Sequence, residues 1–283
     1  MEMENVWRKN ISEARDRIQS RILVCVVSPL LVLLCLHGLT FGPAGGRAGI
    51  FNSLLALGIS VAFALLAWKL GSATPGAAAS GGAICLLLVQ VGGGLVVRSG
   101  LLPLVALFIL TFASTRAGRR KKTKSGLAES RKGRNAAQVM ANLGAAGLVA
   151  GAGAGHPWVF VVLLAALVEA TADTVSSEIG QAFGGEPVSL VSLRRVAVGT
   201  DGGVTLLGTM AGILGGALVA LVGYGAMGIG LKGFAVALGC GAAGLFFDSI
   251  LGATVERWGW LGNDLVNFTS TLFAAGLAFA LLV

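Results

Sequence analysis

Long apolar runs alternate with short polar segments along the chain, and each run has about the length of a membrane helix. A helix that spans a bilayer needs roughly 20 consecutive, mostly apolar residues. Nine runs come close to this measure: 22–40, 50–68, 77–97, 101–115, 136–154, 157–172, 204–224, 230–247 and 264–283. The pattern therefore predicts an all-α, polytopic membrane helix bundle of about nine transmembrane helices. The fourth run is short and contains Pro103, so a re-entrant segment at 99–115 is an alternative.

Composition supports a membrane protein over a soluble domain. Hydrophobic residues make up 55% of the 283 residues and charged residues 12%, and the mean hydropathy is +0.85, which soluble domains of this size rarely reach. The 44 glycines and many alanines favour helices with closely approaching backbones. The four cysteines all lie inside apolar runs without paired spacing, so we expect no disulfide and no zinc site.

The N-terminal residues 1–21 differ from the first apolar run, because they mix both signs of charge with apolar residues such as Trp7 and Ile18. We expect an amphipathic helix on the membrane surface. A cleaved signal peptide is disfavoured, because no small-residue cleavage site closes a short apolar core. Residues 22–283 are then expected to form a single transmembrane domain.

The net charge of +8 comes from basic residues at the ends of the runs, which disfavours a nucleic-acid partner. Nine Lys or Arg fall between Arg116 and Arg134, and the positive-inside rule assigns that stretch to the cytoplasm. We therefore predict a multi-pass protein of a bacterial inner membrane, with a cytoplasmic N-terminus and an external C-terminus. Segments 116–142, 173–203 and 248–267 would then share the cytoplasmic face.

The first of these three segments leads into a helix with repeated amide side chains. Asn135, Gln138 and Asn142 are spaced i, i+3 and i+7, so they share one helical face. Lys121 and Lys122 are expected to be solvated lysines of a basic loop. Three other basic residues are candidate ligands of phosphate groups: Lys124, Arg131 and Arg134.

The second segment begins where an apolar run ends in two carboxylates, Asp173 and Glu178. Placing charged groups at the end of a membrane helix costs free energy, so they need a metal ion or a basic partner. Ser177 follows Asp173 at i+4, on the same stripe. Glu169, one turn deeper, is either part of the site, paired with a lysine, or protonated within the bundle.

Further along the second segment, Thr200, Asp201, Gly202 and Gly203 are predicted to open the next span. Successive glycines before a helix can offer bare amides to a phosphate. The same sequence is also compatible with a simple capped turn, because it matches neither a P-loop nor a dinucleotide fingerprint.

The third segment places Asp248 at the end of one span and three polar residues at the start of the last one. Asn263 and Asn267 are i and i+4, on one face. Asp264 is either a helix cap or a ligand, whereas Asp248 needs a cation.

Together the three segments offer the groups that a phosphoanhydride and magnesium ions require: carboxylates, basic side chains and glycines. The candidate Mg²⁺ ligands are Asp173, Glu178, Asp201, Asp248 and Asp264. His37 and His156 fall at the opposite ends of spans, and no Ser-His-Asp or HExxH pattern is present. A histidine-activated nucleophile is therefore disfavoured.

Five ordered motifs carry a family resemblance from about Phe51 to the end of the chain: KSGLAESRKGRNAAQVMAN, ADTVSSEIG, GTDGGVTLLG, DSILGA and NDLVNF. They resemble the integral-membrane family known as domain of unknown function ninety-two, which includes phytyl-phosphate kinase and transmembrane protein nineteen. Two departures are an aliphatic Val175, where many relatives have an aromatic residue, and Asp201, where many have asparagine. The extra charge of Asp201 favours a metal ligand over a phosphate cradle.

The resemblance implies an isoprenoid-phosphate kinase that transfers a phosphoryl group from a nucleoside triphosphate, by analogy CTP, to a prenyl monophosphate. The same resemblance implies functional roles at the matching positions of this sequence, which are Asp173, Glu178, Gln138, Asn142, Asp248, Asn263 and Asn267. The expected catalytic groups are Asp173, Glu178, Asp248 and Arg134. The expected substrate and nucleotide ligands also include Lys124, Arg131, Ser177, Thr200, Gly202 and Gly203, and the prenyl tail is expected between small-residue helices.

Two other classes of function stay open at this point. A cytidylyltransferase that forms a CDP-lipid would use similar carboxylates but would release pyrophosphate. A lipid or small-molecule transporter would need polar residues through the depth of the membrane, whereas here they gather at one face. A homodimer is one oligomeric state that the sequence allows.

Overall fold

The computed structural model describes residues 11–41, 47–92, 98–128 and 133–283 and contains ten α-helices in this part of the chain. Their bounds are α1 Glu13–Phe41, α2 Arg47–Lys69, α3 Pro75–Gln90, α4 Leu101–Arg116, α5 Arg119–Lys124, α6 Ala136–Ala152, α7 Val159–Phe183, α8 Leu206–Met227, α9 Gly230–Leu251 and α10 Asn263–Ala280. A π-helical turn, Gly252–Glu256, continues α9. Two short strands, β1 Val188–Ser189 and β2 Gly203–Val204, pair in antiparallel fashion.

Nine of these helices, all but the six-residue α5, coincide with the nine predicted runs. Five of them, α1, α2, α7, α8 and α9, are long and apolar enough to cross a membrane, and α3, α4 and α6 are shorter apolar helices. The prediction of an all-helical, polytopic membrane bundle is confirmed. Pro103 does not break α4, because it lies in the first turn, where a helix needs no backbone N–H donor.

The first helix begins earlier than predicted. It starts at Glu13 and continues to Phe41, so no break at residue 21 separates a surface helix from the first span. The physical reason is that residues 13–21 contain no glycine or proline that would end a helix. Residues 1–10 lie outside the described part of the chain.

Helix α7 lies at the centre of the bundle and packs against α4, α6, α8, α9 and α10. Its residues 159–172 are almost all buried. Glycines of its neighbours make this contact possible. A Cβ atom on Gly216 of α8 would lie 3.0 Å from Val168, and one on Gly241 of α9 would lie 3.0 Å from the backbone nitrogen of Glu169. The expected Gly-rich packing is therefore present around α7.

The connections place the three polar segments at one end of the bundle, which we call the polar end. The end of α7, the start of α6, the hairpin β1–β2, the end of α9 and the start of α10 all lie there. Among the basic residues that the structure describes, only Arg47, Arg98 and Lys232 lie at the opposite end. His156 is also at the opposite end, where it stacks on Trp158. All four cysteines are free thiols in the structure.

Candidate active site at the polar end

A cavity of about 970 Å³ opens at the polar end. Its walls come from the first turns of α1, α6 and α10, the last turns of α7 and α9, and the loop before α8. All three predicted cytoplasmic segments therefore contribute to one cavity. We call it the polar cavity.

Most of the predicted site residues line the polar cavity: Arg134, Gln138, Asn142, Asp173, Ser177, Glu178, Thr200, Asp201, Gly202, Gly203, Asp248, Asn263, Asp264 and Asn267. Lys124 is exposed on α5 and is not among the lining residues, so its role as a phosphate ligand stays a prediction. Arg131 lies outside the described residues.

Acidic groups of α7 and α9 form the deepest part of the site. Asp173 and Asp248 interact electrostatically with each other and with Glu169, and Asp201 also acts on Asp248. The hydroxyl of Ser270 on α10 donates a hydrogen bond of 3.0 Å to the Asp248 carboxylate. Like charges this close repel one another, so the arrangement favours a cation or a shared proton.

Glu169 lies beneath these two aspartates and is buried to 1% exposure. Neither of its carboxylate oxygens has a hydrogen-bond partner within the described ranges. A Cβ atom on Gly244 would lie 3.0 Å from Ala274 of α10 and would also collide with Glu169, so this glycine makes room for the carboxylate. The lysine partner considered for Glu169 is not observed among the described side chains.

Glu178 meets a buried lysine that the sequence did not reveal. Lys122 is 1% exposed and forms an ion pair with the Glu178 carboxylate. Its ammonium group also donates to the carbonyls of Ser114, at 3.3 Å, and Thr115, at 3.0 Å. A buried ammonium requires such partners because desolvation of a charge is costly. The prediction of a solvated Lys122 was wrong.

The turn at Gly118 explains why Lys122 points inward. Gly118 adopts φ +62°, and a Cβ atom there would clash with Ala182 of α7. The turn thus brings α5 against α7, and one face of α5 is buried. Glu178 keeps its second carboxylate oxygen outside this ion pair, since only Oε2 is engaged.

Arg134 is held in place through its backbone. Its N–H donates to the carbonyl of Ser72, and its carbonyl accepts from Thr74, both at 2.9 Å. The neighbouring Gly133 makes this approach possible: φ is +76°, and a Cβ atom would lie 2.5 Å from the Ser72 carbonyl carbon. The guanidinium donates to the Thr174 hydroxyl at 3.4 Å. It also lies close enough to interact with the carboxylate of Asp173 on α7.

The amide side chains at the start of α6 form hydrogen bonds within this helix and also line the polar cavity. Asn135 is the N-cap and forms a reciprocal capping box with Gln138, with distances of 3.0 and 2.8 Å. The Asn142 amide donates to the Gln138 carbonyl at 2.9 Å. Both Gln138 and Asn142 still line the cavity.

The glycines before α8 do not open the helix, contrary to the prediction. Helix α8 begins at Leu206, and Thr205 caps it by accepting a 3.0 Å hydrogen bond from Gly208. The Gly203 N–H already donates to the Thr200 carbonyl at 2.9 Å. Gly202 has φ +69°, and a Cβ atom there would lie 2.5 Å from the Ser249 carbonyl oxygen. Gly202 therefore serves close packing against the end of α9, whereas a Cβ atom on Gly203 would approach Thr200, Val196 and Pro187 within its own loop.

Asp264 is not the N-cap of α10, because Gly262 occupies that position and Asp264 lies in the first turn. The hydroxyl of Ser20 on α1 donates a 2.6 Å hydrogen bond to the Asp264 carboxylate. A carboxylate in a first turn is favoured by the helix dipole. Asp264 can therefore have a structural role in addition to a role in the cavity.

The N-terminal turns of α1 complete the cavity wall, which the sequence interpretation missed. Gln19 donates to the carbonyl of Trp260 and accepts from the N–H of Gly262, both at 2.7 Å. This docking places Arg17 and Arg21 on the cavity wall. The mixed charges of residues 13–21 were the available signal.

The fit of the site to Mg²⁺ depends on its donor set. No three His, Cys, Asp or Glu side chains are grouped as a complete metal site among the residues described. Mg²⁺ is typically held by one or two carboxylates together with substrate phosphates and water. Asp173 and Asp248 on the cavity wall, with the unpartnered Glu169 carboxylate beneath them, match that type of open site.

Fold and site together define a multi-pass integral membrane protein with a charged cavity at one end of the bundle. The sequence profile described as integral membrane protein DUF92 matches residues 58–275. The chain belongs to this family. The match agrees with the resemblance predicted from about Phe51 onwards and leaves α1 outside it.

Three relatives illustrate the range of the family. An uncharacterized membrane protein of Synechocystis sp. is 31% identical over 63% of this chain and 72% of its own length. One from Methanocaldococcus jannaschii is 34% identical over 61% of this chain and 71% of its own. Protein VTE6, chloroplastic, of Arabidopsis thaliana is 33% identical over 74% of this chain and 66% of its own. No solved structure matches the chain.

Proposed function

We propose that this protein is an isoprenoid monophosphate kinase, which transfers a phosphoryl group from CTP or another nucleoside triphosphate to give a prenyl diphosphate. The observation that carries the proposal is one cavity at the end of a membrane bundle, lined by Asp173, Asp248 and Arg134 from distant parts of the chain. The resemblance of the five sequence motifs to a family that includes phytyl-phosphate kinase supports the same chemistry, and the family match over residues 58–275 is consistent with it.

The acceptor chemistry suits a site without histidine. A phosphate monoester is already largely a dianion near neutral pH, so its oxygen can attack the γ-phosphorus without a strong general base. The bond from the γ-phosphorus to the β,γ-bridging oxygen breaks, and the nucleoside diphosphate leaves. The main difficulty is to bring two anions together, so catalysis consists of positioning and charge compensation.

Different charged residues would supply the positioning and the charge compensation. Asp173 and Asp248 would hold Mg²⁺, which when bound neutralises phosphate charge, with Asp201, Asp264 and Glu178 as further carboxylates on the wall. Arg134 would bind a phosphate, since its backbone is fixed and its guanidinium faces the cavity. Arg17 and Arg21 of α1 add positive charge to the wall of the same cavity. Arg131 stays a sequence-based candidate for the same role.

The test is a transfer assay on purified protein in detergent, with magnesium, CTP labelled at the γ-phosphate, and geranylgeranyl or phytyl monophosphate. We expect labelled prenyl diphosphate and CDP. Asp173→Asn should lower the rate by about 100-fold or more, the order found when a charge-stabilising group is removed. Glu186→Gln is the matched control, because Glu186 is exposed, pairs with Arg195 and does not line the cavity.

Product identity separates the proposed reaction from the cytidylyltransferase alternative. Release of pyrophosphate with a CDP-lipid would reject the kinase. Formation of neither product, with folded protein and every substrate present, would reject both enzymes. Full activity of Asp173→Asn would remove Asp173 from the catalytic machinery.

The proposed cytoplasmic orientation of the polar end has its own test. Single cysteines would replace Lys124 and Glu186, both exposed at the polar end, and His156, exposed at the other end. In a background without the four native cysteines, we expect a membrane-impermeant thiol reagent to label K124C and E186C from the cytoplasmic side and H156C from outside. Labelling of K124C and E186C from different sides would contradict a shared face.

A further inference from the structure

A second, smaller cavity of about 100 Å³ lies beside the polar cavity, between α2, α3, α4 and α6. We call it the apolar cavity. Small or aromatic side chains form most of its wall, among them Phe63, Ala78, Gly81 and Phe108. The hydroxyl of Thr111, which also lines it, donates to the Leu107 carbonyl at 2.9 Å and is therefore satisfied within its own helix. A wall of this composition favours a hydrocarbon chain as the ligand.

The two cavities meet at two polar residues. Arg134 and Asn142 line both the polar and the apolar cavity. A ligand with a charged head and an apolar tail could therefore place its head at Arg134 and its first carbons in the apolar cavity. The hydroxyl oxygen of Ser72, whose carbonyl holds the Arg134 backbone, is buried in this wall without a hydrogen-bond partner among the described residues.

Aromatic rings of α2 and α4 line the apolar cavity. The Phe63 and Phe108 rings meet edge to face at 5.5 Å, and Phe108 stacks with Phe112 at 5.8 Å. The guanidinium carbon of Arg116 lies 3.4 Å from the centre of the Phe112 ring. Helix α2 packs mainly on α3, so the Phe63 and Phe108 rings mark the place where an apolar chain would leave the cavity between α2 and α4.

We infer that the apolar cavity binds the phosphate-proximal end of an isoprenoid phosphate, with its phosphate at Arg134 and the rest of its chain passing between α2 and α4 into the bilayer. The inference rests on the proposed function and specifies its lipid subsite. The occupant is an anionic lipid with a single chain, because the cavity has roughly a tenth of the volume of the polar cavity and has three arginines in its wall, Arg116, Arg119 and Arg134. A two-chain membrane phospholipid is the competing occupant.

The test uses Gly81→Leu, which would extend a side chain into the apolar cavity. A Cβ atom on Gly81 would make ordinary contacts, 3.8 Å from Phe63 and 4.0 Å from Val139, so Gly81→Ala supplies a milder step with little strain. Gly58→Leu is the matched control, because Gly58 lies on α2 and a Cβ atom there would meet no atom within 4 Å. Both positions lie in apolar helices, so the effect on hydropathy is the same.

The readout is binding, independent of turnover. Protein in detergent is crosslinked to geranyl monophosphate that carries a diazirine near its first isoprene unit, and the labelled peptides are mapped. We expect labels on α2, α3 or α4, about tenfold less labelling in Gly81→Leu, an intermediate loss in Gly81→Ala, and no change in Gly58→Leu. Unlabelled prenyl monophosphate should compete.

The possible outcomes distinguish the inferred lipid-binding subsite from the proposed kinase activity. Mapped, competable labelling without diphosphate formation would reject the kinase and keep the lipid subsite. Diphosphate formation with labels elsewhere, or with equal labelling in Gly81→Leu and Gly58→Leu, would overturn the subsite and keep the kinase. Equal competition by phosphatidic acid would assign the cavity to a membrane phospholipid and overturn the inference.

Discussion

Helices α7 and α2 are both apolar, yet they occupy opposite environments. In the most apolar stretch of α7, 83% of the residues are buried inside the protein, against 17% in α2. The mean hydropathy of the two stretches is similar, 1.8 and 2.2. Hydropathy thus identifies a membrane helix but does not say whether its neighbours are helices or lipid.

The difference between the two helices comes from charge and from the partners of each helix. Helix α7 carries Glu169, Asp173 and Glu178, and glycines of α8 and α9 allow their backbones to approach it. Helix α2 has one charged residue at each end and many exposed large apolar side chains. The central helix is therefore the one that can hold polar groups away from lipid.

The largest effect on stability should come from the ion pair that anchors the end of α7. Lys122→Met removes a buried cation and leaves Glu178 with no ammonium partner. Breaking a buried pair from one side typically costs about 3–5 kcal/mol. We expect a clearly lower thermal unfolding midpoint in detergent.

Combining Lys122→Met with Glu178→Gln should recover much of that loss, because no buried charge is left unpaired. If the double variant is as unstable as the sum of the single ones, the two residues are not coupled. Lys124→Met is the matched control, since Lys124 is exposed on the same short helix.

A smaller effect is expected where α9 meets α7. The added methyl of Gly241→Ala would collide with Val168 and approach the Glu169 nitrogen at 3.0 Å. Overpacking of this kind typically costs about 1–3 kcal/mol. Gly58→Ala on α2 meets no atom within 4 Å and should leave the unfolding midpoint unchanged or higher. Equal losses in the two variants would mean that α7 is no more tightly packed than α2.

The smallest effect is expected on the outer face of α2. Leu54 is 63% exposed, so Leu54→Ala should change stability by about 0.5 kcal/mol or less. Transfer activity should also stay within the error of the assay. A large loss of stability would indicate that a second chain covers this face, which analytical ultracentrifugation in detergent would reveal.

The spans and the shared polar end could be predicted from sequence, because run length and the parity of the spans decide them. The position of Lys122 could not, since it depends on the turn at Gly118 and on contact with α7. The loop at Thr200 was misassigned because Thr205, three residues before Gly208, is the stronger cap. Tertiary contacts, rather than local pattern, decide such positions.

Arg134 is a residue whose role was predicted from sequence but whose attachment was not. The sequence indicated a basic residue before an amide-rich helix, and the structure adds its attachment to Ser72 through the glycine at 133. That attachment joins residues 62 positions apart in the chain, so the local spacing of residues could not predict it. The contribution of α1 to the cavity was hidden for the same reason.

The docking of α1 on α10 has a consequence for biosynthesis. The first helix leaves the ribosome about 220 residues before its partner, and Ser20 has no Asp264 to bind until the last helix is made. Chains that stop before residue 263 should insert into the membrane but lack one wall of the polar cavity. The polar cavity would thus have all of its walls only after α10 has been made.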